Sequence, residues 1–288
     1  MRLTKVANSL PTYSSYDIPL LHIHSPNPTN EMSTIIEAHN LTVVYGRKPA
    51  LWNVDFELPE KQVIGIMGPN GSGKSTLLKS IMGVVQPTSG FTKVYNQELS
   101  SVREKVSYVP QRQDIDWDFP ASVWDIVSMG RFQKRGLFKK LTSEDKDIIS
   151  ESLEKVNMLG FAKRQISQLS GGQQQRVFLA RAIAQQGDLF LMDEPFAGVD
   201  IATEEMIIAL LKEMKNDGKT LVIVHHDLHT AQSYFDHLVL LNTRLVASGP
   251  TKEVFTDQIL TDTYGGKLTT IAKISQELEN KEFPIRHK

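Results

Sequence analysis

The sequence has 288 residues, 40% of them hydrophobic, with a formal net charge of −1 and no cysteine. The near-zero charge argues against a dedicated nucleic-acid binder, and the lack of cysteine excludes disulfides, thiolate catalysis and thiolate metal ligands. No stretch approaches the roughly 18 apolar residues of a membrane span, so any spanning part is expected on another chain.

Residues 1–34 are predicted to form a flexible extension. The segment is rich in Ser, Pro, Asn and Thr, lacks apolar periodicity and contains no apolar run typical of a secretory signal. Met32 is an alternative start, because the regular pattern begins just after it.

The following pattern alternates strands and helices. Apolar residues alternate from Ile35 to Tyr45 and again from Val54 to Leu58, as in half-buried strands. Helical periodicity dominates between Gln111 and about Gln168. Short apolar runs predict buried strands at 63–67, 106–109, 189–192, 221–224 and 238–241. This order predicts an α/β fold around a mainly parallel sheet, with the helical stretch as a separate lobe.

A glycine-rich segment, GPNGSGKST, satisfies G-x-x-x-x-G-K-[ST] between an apolar strand and a helix. Its backbone N–H groups and the helix N-terminus suit phosphate oxygens, Lys74 reaches the β- and γ-phosphates, and Ser75 is a Mg²⁺ ligand. A chance glycine-rich turn is the alternative. The motif alone does not separate kinases, GTPases and transport ATPases. The predicted nucleotide-binding residues here are Gly68, Pro69, Asn70, Gly71, Ser72, Gly73, Lys74, Ser75 and Thr76.

Two adjacent carboxylates follow the apolar run 189–192. Ligands bind at the carboxyl ends of strands in open α/β sheets, so Asp193 is predicted to hold Mg²⁺, directly or through water. Glu194 is predicted to activate the attacking water as general base. The alternative is an acidic strand end that caps the next helix.

The segment LSGGQQQR, Leu169–Arg176, resembles the signature of the ABC ATPase family, LSGGQ. Ser170, Gly171, Gly172 and Gln173 precede a helix predicted to start near Gln173, which makes a second phosphate-binding helix end. One ATP does not need two such cradles from one chain. In the family, the signature of one subunit closes over the γ-phosphate held by the other, which implies an isologous homodimer.

Smaller landmarks of the family follow in order. The resemblance implies that Tyr45 stacks on adenine, although a simple strand-end tyrosine is the alternative. It also implies that Gln111 contacts Mg²⁺ and the attacking water, that Asp200 couples the two sites across the dimer, and that His226 contacts the γ-phosphate.

Two further histidines, His225 and His229, lie near His226 in the sequence. A metal site formed by all three histidines is the alternative to phosphate sensing by His226. We expect His225 and His229 to face solvent.

The resemblance covers nearly everything from Ile35 to about Gly249. It implies a P-loop NTPase of ABC type with ATP and Mg²⁺ as cofactors, a mainly parallel sheet core, an antiparallel β subdomain and an inserted α-helical lobe at about 112–170. The ATPase domain is placed at 35–250 and a C-terminal helical tail at 251–288.

Two longer stretches, Val106–Arg131 and Gln175–Asp200, resemble the ATP-binding subunits of bacterial manganese, zinc and iron importers. The implied function is ATP hydrolysis that powers divalent metal uptake at the cytoplasmic face of the cell membrane. The implied partners are an integral membrane permease and an extracytoplasmic metal-binding protein, with no nucleic acid. An ABC ATPase for another cargo, or one associated with nucleic acid, is the alternative.

An aromatic cluster follows Gln111. It either shapes a surface for docking a permease helix or belongs to the core of the lobe, and the sequence does not decide between the two. Its members are Trp117, Phe119, Pro120 and Trp124.

Overall fold

The computed structural model describes residues 33–136 and 139–265. Most of the predicted N-terminal extension, 1–32, and the tail residues 266–288 lie outside the described residues. Within the described ranges, none of the helices combines the length and apolar composition needed to cross a bilayer.

A three-stranded antiparallel sheet is built by the first alternating segments. It contains β1 (Thr34–Tyr45), β2 (Lys48–Pro59) and β4 (Ser89–Val94) in the order β2-β1-β4. β1 turns into β2 at Gly46, whose φ of 62° is readily adopted by glycine. One face of this sheet is buried, as the alternation predicts, and it packs on the strand that leads into the glycine-rich segment.

The second sheet has six strands and forms the centre of the molecule. Its strands are β3 (Val63–Met67), β5 (Val106–Val109), β6 (Leu189–Asp193), β7 (Thr220–Val224), β8 (His237–Asn242) and β9 (Arg244–Pro250). The order is β5-β6-β7-β3-β8-β9, and the first five of these strands are parallel. Only β9 runs antiparallel, beside β8. The mainly parallel sheet and the antiparallel β subdomain are therefore confirmed.

Helices cover this sheet and fill the stretch between β5 and β6. In chain order they are α1 (Lys74–Ile81), α2 (Leu99–Val102), α3 (Val123–Ser128), α4 (Phe132–Arg135), α5 (Ser143–Lys155), α6 (Gly171–Ala184), α7 (Ile201–Asn216), α8 (Leu228–Tyr234), α9 (Thr251–Val254) and α10 (Asp257–Tyr264). Helices α3, α5 and α6 each begin with a capping box, in which the N-cap hydroxyl and the third side chain satisfy each other's backbone N–H groups.

The aromatic cluster after Gln111 is divided by the structure. Trp117 packs edge-on against Phe178 of α6, with ring centroids 5.3 Å apart, and Trp124 also contacts the core. Phe119 remains 50% exposed, and Pro120 is exposed as well. The core and surface interpretations therefore each apply to part of the cluster.

A buried ion pair joins the helices between β5 and β6. The Arg131 guanidinium donates to Asp145 Oδ1 at 3.0 Å and to the carbonyl of Ala184, the last residue of α6, at 2.8 Å. Burial opposes the Asp145 charge, but donors from Thr142 and Arg131 outweigh it, so the pKa of Asp145 is held well below its usual range. The pair ties the start of α5 to the end of α6.

We predict that Asp145→Ala lowers the free energy of unfolding by about 3–5 kcal/mol, because it leaves the Arg131 charge buried without an opposite charge. Urea unfolding at pH 7.5 measures this change. The control is Glu213→Ala, which breaks the exposed pair between Lys155 and Glu213 and should cost less than about 1 kcal/mol. Equal costs for the two variants would contradict the prediction.

The same ion pair predicts how the stability of the chain depends on pH. The pKa of Asp145 is depressed in the folded state, so its contribution to stability is present above the unfolded value of about 3.9 and is lost as pH falls through the folded value. The difference between wild type and Asp145→Ala should therefore shrink below about pH 4.

Candidate active site

The carboxyl ends of the parallel strands surround a cavity of about 730 Å³. β3 ends at the glycine-rich segment, β6 ends at Asp193, and β5 and β7 each end two residues before a polar side chain that lines the cavity. Its lining residues are Tyr45, Lys48, Pro49, Ala50, Asn70, Gly71, Ser72, Gly73, Lys74, Ser75, Thr76, Gln111, Gln113, Glu194 and His226.

The glycine-rich segment turns tightly under this cavity. A Cβ on Gly68 would collide with the carbonyl oxygen of Leu241, and one on Gly73 would collide with that of Ala50, so both positions require glycine. Gly73, with φ of 99°, is also the N-cap of α1 and has no side chain to accept the first N–H groups of the helix. Those donors remain available to a phosphate group.

Lys74 is buried at the floor of the cavity, with 6% of its surface exposed. Its ammonium donates to the carbonyls of Gly68 at 2.9 Å and Pro69 at 3.0 Å. Burial lowers the pKa of Lys74, and the carboxylates of Glu194 and Asp193 partly offset this effect. A bound anion would supply the negative charge that favours the ammonium form.

Asp193 and Ser75 fit a divalent cation. The Ser75 hydroxyl donates to Asp193 Oδ1 at 3.0 Å, while Asp193 Oδ2 is buried with no hydrogen-bond partner. Burial raises the pKa of Asp193 to about 6, against the Ser75 hydrogen bond and with the help of Glu194. An unsatisfied buried carboxylate oxygen beside a hydroxyl is the donor set that Mg²⁺ takes.

Glu194 is held at the cavity wall by Gln111. The Gln111 amide donates to Glu194 Oε2 at 2.9 Å, and Gln111 Oε1 in turn accepts from Gln113 at 2.8 Å. Glu194 has φ of 50°, a left-handed conformation that non-glycine residues rarely adopt. Such strain clusters at functional sites, and here it directs the carboxylate into the cavity of Lys74 and Ser75.

Tyr45 and His226 lie at the open edges of the cavity. Tyr45, at the end of β1, is 54% exposed, so one face of its ring is free to stack on a planar group. His226 is exposed and follows β7. The structure thus gathers both residues with Lys74, Gln111 and Glu194 around one cavity.

The signature segment is not part of this cavity's lining. α6 starts at Gly171, two residues earlier than expected, with Ser170 as N-cap accepting from Gln173 N at 3.4 Å. Asp200 caps α7 and lies next to this helix end, because a Cβ on Gly172 would be 3.8 Å from Asp200 Oδ2. Ser170, Gly171, Gly172, Gln173 and Asp200 therefore form a second group, outside the cavity of their own chain.

Sequence reasoning missed the residues that connect these two groups. Arg112, next to Gln111, donates to Gln174 Oε1 at 3.1 Å, and a Cβ on Gly171 would lie 3.1 Å from its guanidinium carbon. Asp114 pairs with Lys79 of α1 at 2.7 Å. The segment after Gln111 is thus attached both to the helix of the glycine-rich segment and to α6.

His225 contradicts its prediction. We expected it to face solvent, but it is only 3% exposed and packs against the rings of Phe196, Tyr234 and Phe235. The physical reason is its place at the end of the fully buried strand β7, where its side chain points into the core. His229 is exposed, as expected.

Comparisons with known proteins place the chain among the ATP-binding proteins of transport systems. The family profile described as "ABC transporter" matches residues 51–197. The chain is 53% identical over 234 residues to the manganese transport system ATP-binding protein MntB of Bacillus subtilis (strain 168), covering 81% of this chain and 94% of that protein. It is 49% identical over 235 residues to the zinc transport system ATP-binding protein TroB of Treponema pallidum (strain Nichols), covering 82% and 88%.

One similar solved structure is of a dimer with bound ligands. A dimeric ATP-binding cassette in a post-hydrolysis state, bound to ADP and Pi, resembles this chain with a TM-score of 0.66 at 30% identity. The similarity covers 75% of this chain and 98% of that chain.

We predict that Asp193→Asn raises the melting temperature of the nucleotide-free chain at pH 7.5 by about 2–5 °C in the presence of a chelator. The pKa of Asp193 is raised by folding to about 6, so the ionised carboxylate lowers stability progressively as pH rises from about 4 through 6. The gain should therefore vanish near pH 4, and thermal unfolding across this range measures it.

The control is Asp188→Asn, at the other end of β6, where the carboxylate is exposed and paired with Lys219. It should not raise the melting temperature. A gain for Asp188→Asn equal to that for Asp193→Asn would contradict the role of burial.

Proposed function

Because this chain belongs to the ABC transporter ATP-binding family, we propose that it is the ATP-hydrolysing subunit of an importer for manganese or zinc. The hydrolytic part rests on one observation above all. Glu194, held by Gln111, lines the same cavity as the glycine-rich segment. The cargo rests on the identity to manganese and zinc transport subunits over four fifths of the chain.

The proposed chemistry uses side chains that line the same cavity. Lys74 and the N–H groups at the start of α1 bind the β- and γ-phosphates and stabilise the charge that moves to the leaving group. Glu194 accepts a proton from the attacking water, which Gln111 orients. His226 contacts the γ-phosphate, and Tyr45 stacks on adenine.

Mg²⁺ fits the pair of Ser75 and Asp193. The Ser75 hydroxyl and the unpartnered Asp193 Oδ2 would hold the ion, with Gln111 as a further contact. When bound, it neutralises phosphate charge. The same ion would satisfy the Asp193 oxygen that burial leaves unpaired.

A homodimer completes the proposed site. The signature residues and Asp200 lie together but outside the cavity of their own chain, so they are free to close over a nucleotide held by a second copy. A two-fold axis then gives two equivalent sites. The similar cassette that binds ADP and Pi is itself dimeric.

The remaining partners follow from the role of a transport subunit. We place the chain at the cytoplasmic face of the membrane, on an integral permease that works with an extracytoplasmic metal-binding protein. The ATPase domain spans 35–250, the lobe at about 112–170 docks the permease and 251–288 is a tail. The half-exposed ring of Phe119 offers an apolar contact for a permease helix.

The cargo is tested by reconstitution. The chain, its permease and the binding protein are combined in vesicles, and ATP turnover is measured with manganese, zinc or iron loaded on the binding protein. Stimulation by manganese or zinc supports the proposal. Stimulation by none of the three metals would favour another cargo, and co-purification with ribosomes or DNA would favour a nucleic-acid ATPase.

We predict that Glu194→Gln lowers kcat for ATP by about 10²–10⁴-fold while ATP binding is retained, because the variant keeps the shape of the side chain but loses the general base. Steady-state turnover and equilibrium nucleotide binding measure the two effects. The variant should also accumulate as an ATP-bound dimer in size-exclusion chromatography. Near-normal hydrolysis would remove Glu194 from the role of base.

We predict that Ser170→Ala, in the Glu194→Gln background, weakens the ATP-dependent dimer at least about tenfold, because it removes a hydrogen-bond donor to the partner's phosphate. Analytical ultracentrifugation with ATP measures the dimer. Ser122→Ala is the matched control, since Ser122 forms the same capping box on α3. Both variants should lose similar thermal stability, and equal loss of dimer by both would contradict the contact between copies.

A further inference from the structure

A second aromatic cluster, separate from the one after Gln111, has no part in the proposed chemistry. It is centred on His225, whose ring centroid lies 5.4 Å from that of Phe196 and 5.5 Å from that of Phe235, both edge to face. The Tyr234 ring lies 6.1 Å away. The imidazole and the rings of Phe196 and Phe235 are buried, and the Tyr234 ring is half-buried.

The cluster contacts or adjoins three parts of the chain that carry proposed active-site residues. Phe196 follows Glu194 by two residues. Phe235 packs on β3, because a Cβ on Gly65 would lie 2.7 Å from its ring. The Tyr234 hydroxyl donates at 3.2 Å to Glu204 of α7, the helix capped by Asp200.

The imidazole also makes one specific polar contact. His225 Nε2 lies 2.8 Å from the Thr230 hydroxyl of α8, and that hydroxyl donates to the Asp227 carbonyl. The Thr230 hydroxyl thus links the imidazole to the backbone of Asp227, the residue after His226. Burial, reinforced by His226 and opposed by Asp227, lowers the pKa of His225 to about 4, which agrees with a neutral imidazole at physiological pH.

Packing alone does not require histidine here. A phenylalanine ring fills a similar volume and avoids the desolvation of an imidazole, so a histidine that serves only as core filling is the poorer choice. What histidine adds is the hydrogen bond to Thr230, which closes the segment 225–230 that carries His226.

We propose that His225 is a positioning residue for ATP hydrolysis, which fixes His226 relative to Glu194 through its contacts with Thr230 and Phe196. This inference rests on the proposed function and adds a residue to it. The imidazole holds the His226 segment on one side and the segment after Glu194 on the other. The two side chains that act on the γ-phosphate and on the water then share one rigid support.

The test compares His225→Phe, Thr230→Val and the double variant in the full chain. Each single variant should lower kcat for ATP about tenfold, with KM for ATP changed less than about twofold. The double variant should lose about tenfold rather than about a hundredfold, because both changes remove the same contact. His225→Gln, whose amide can donate to Thr230, should recover at least about half of the wild-type kcat.

The chain provides a matched control in His237 and Ser248. This histidine is also buried, with a pKa lowered by burial to about 4, and its Nε2 lies 3.1 Å from the Ser248 hydroxyl. Neither residue lines the nucleotide cavity. His237→Phe and Ser248→Ala should shift the melting temperature about as much as the test variants do while leaving kcat unchanged.

Three results would overturn the inference: wild-type kcat in both His225→Phe and Thr230→Val, additive losses in the double variant, or an equal loss of kcat in His237→Phe. Failure of the proposed function is distinguishable from these. Wild-type turnover that survives Glu194→Gln would refute the assigned general base, while the comparison between His225 and Thr230 would still be measured against the same wild-type rate.

Discussion

The parallel register of β5, β6, β7 and β3 is the constraint on which the site depends. Parallel strands place all their carboxyl ends at one edge of the sheet, so residues far apart in sequence emerge side by side. The glycine-rich segment, Asp193 with Glu194, and the polar residues after β5 and β7 are each the continuation of one such strand. The strands themselves are almost wholly buried, which fixes their register and hence the spacing of these groups.

The buried charges at this edge of the sheet lack full partners in the isolated chain, and a bound ligand would supply them. Lys74 is buried against carbonyl oxygens, and Asp193 is buried with one oxygen unpaired. Burial lowers the pKa of Lys74 and raises that of Asp193, so each charge is disfavoured where it stands. A nucleotide phosphate beside Lys74 and a cation beside Asp193 would favour both charged forms at once. These buried charges therefore lower the stability of the nucleotide-free chain and favour the binding of a phosphate and a cation.

Sequence alone predicted the local features and missed the long-range ones. The glycine-rich segment and the short apolar runs of the buried strands depend on residues a few positions apart, and both were predicted. β4 and β9 escaped because most of their residues are exposed or half-buried and show no apolar run. The burial of His225 and the contact of Arg112 with Gln174, 62 positions away, depend on tertiary packing that no local pattern records.

Arg112 gives the two groups of proposed site residues a direct connection within one chain. Gln111 bonds to Glu194 in the cavity, and the adjacent Arg112 lies against Gly171 and Gln174 at the start of α6. In the proposed dimer the start of α6 contacts the nucleotide bound by the partner. A shift of Gln111 when ATP is bound or hydrolysed would therefore move the phosphate-binding surface offered to the other site. In such a dimer, nucleotide binding in one cavity would change the affinity of the other cavity, which is a coupling between the two sites.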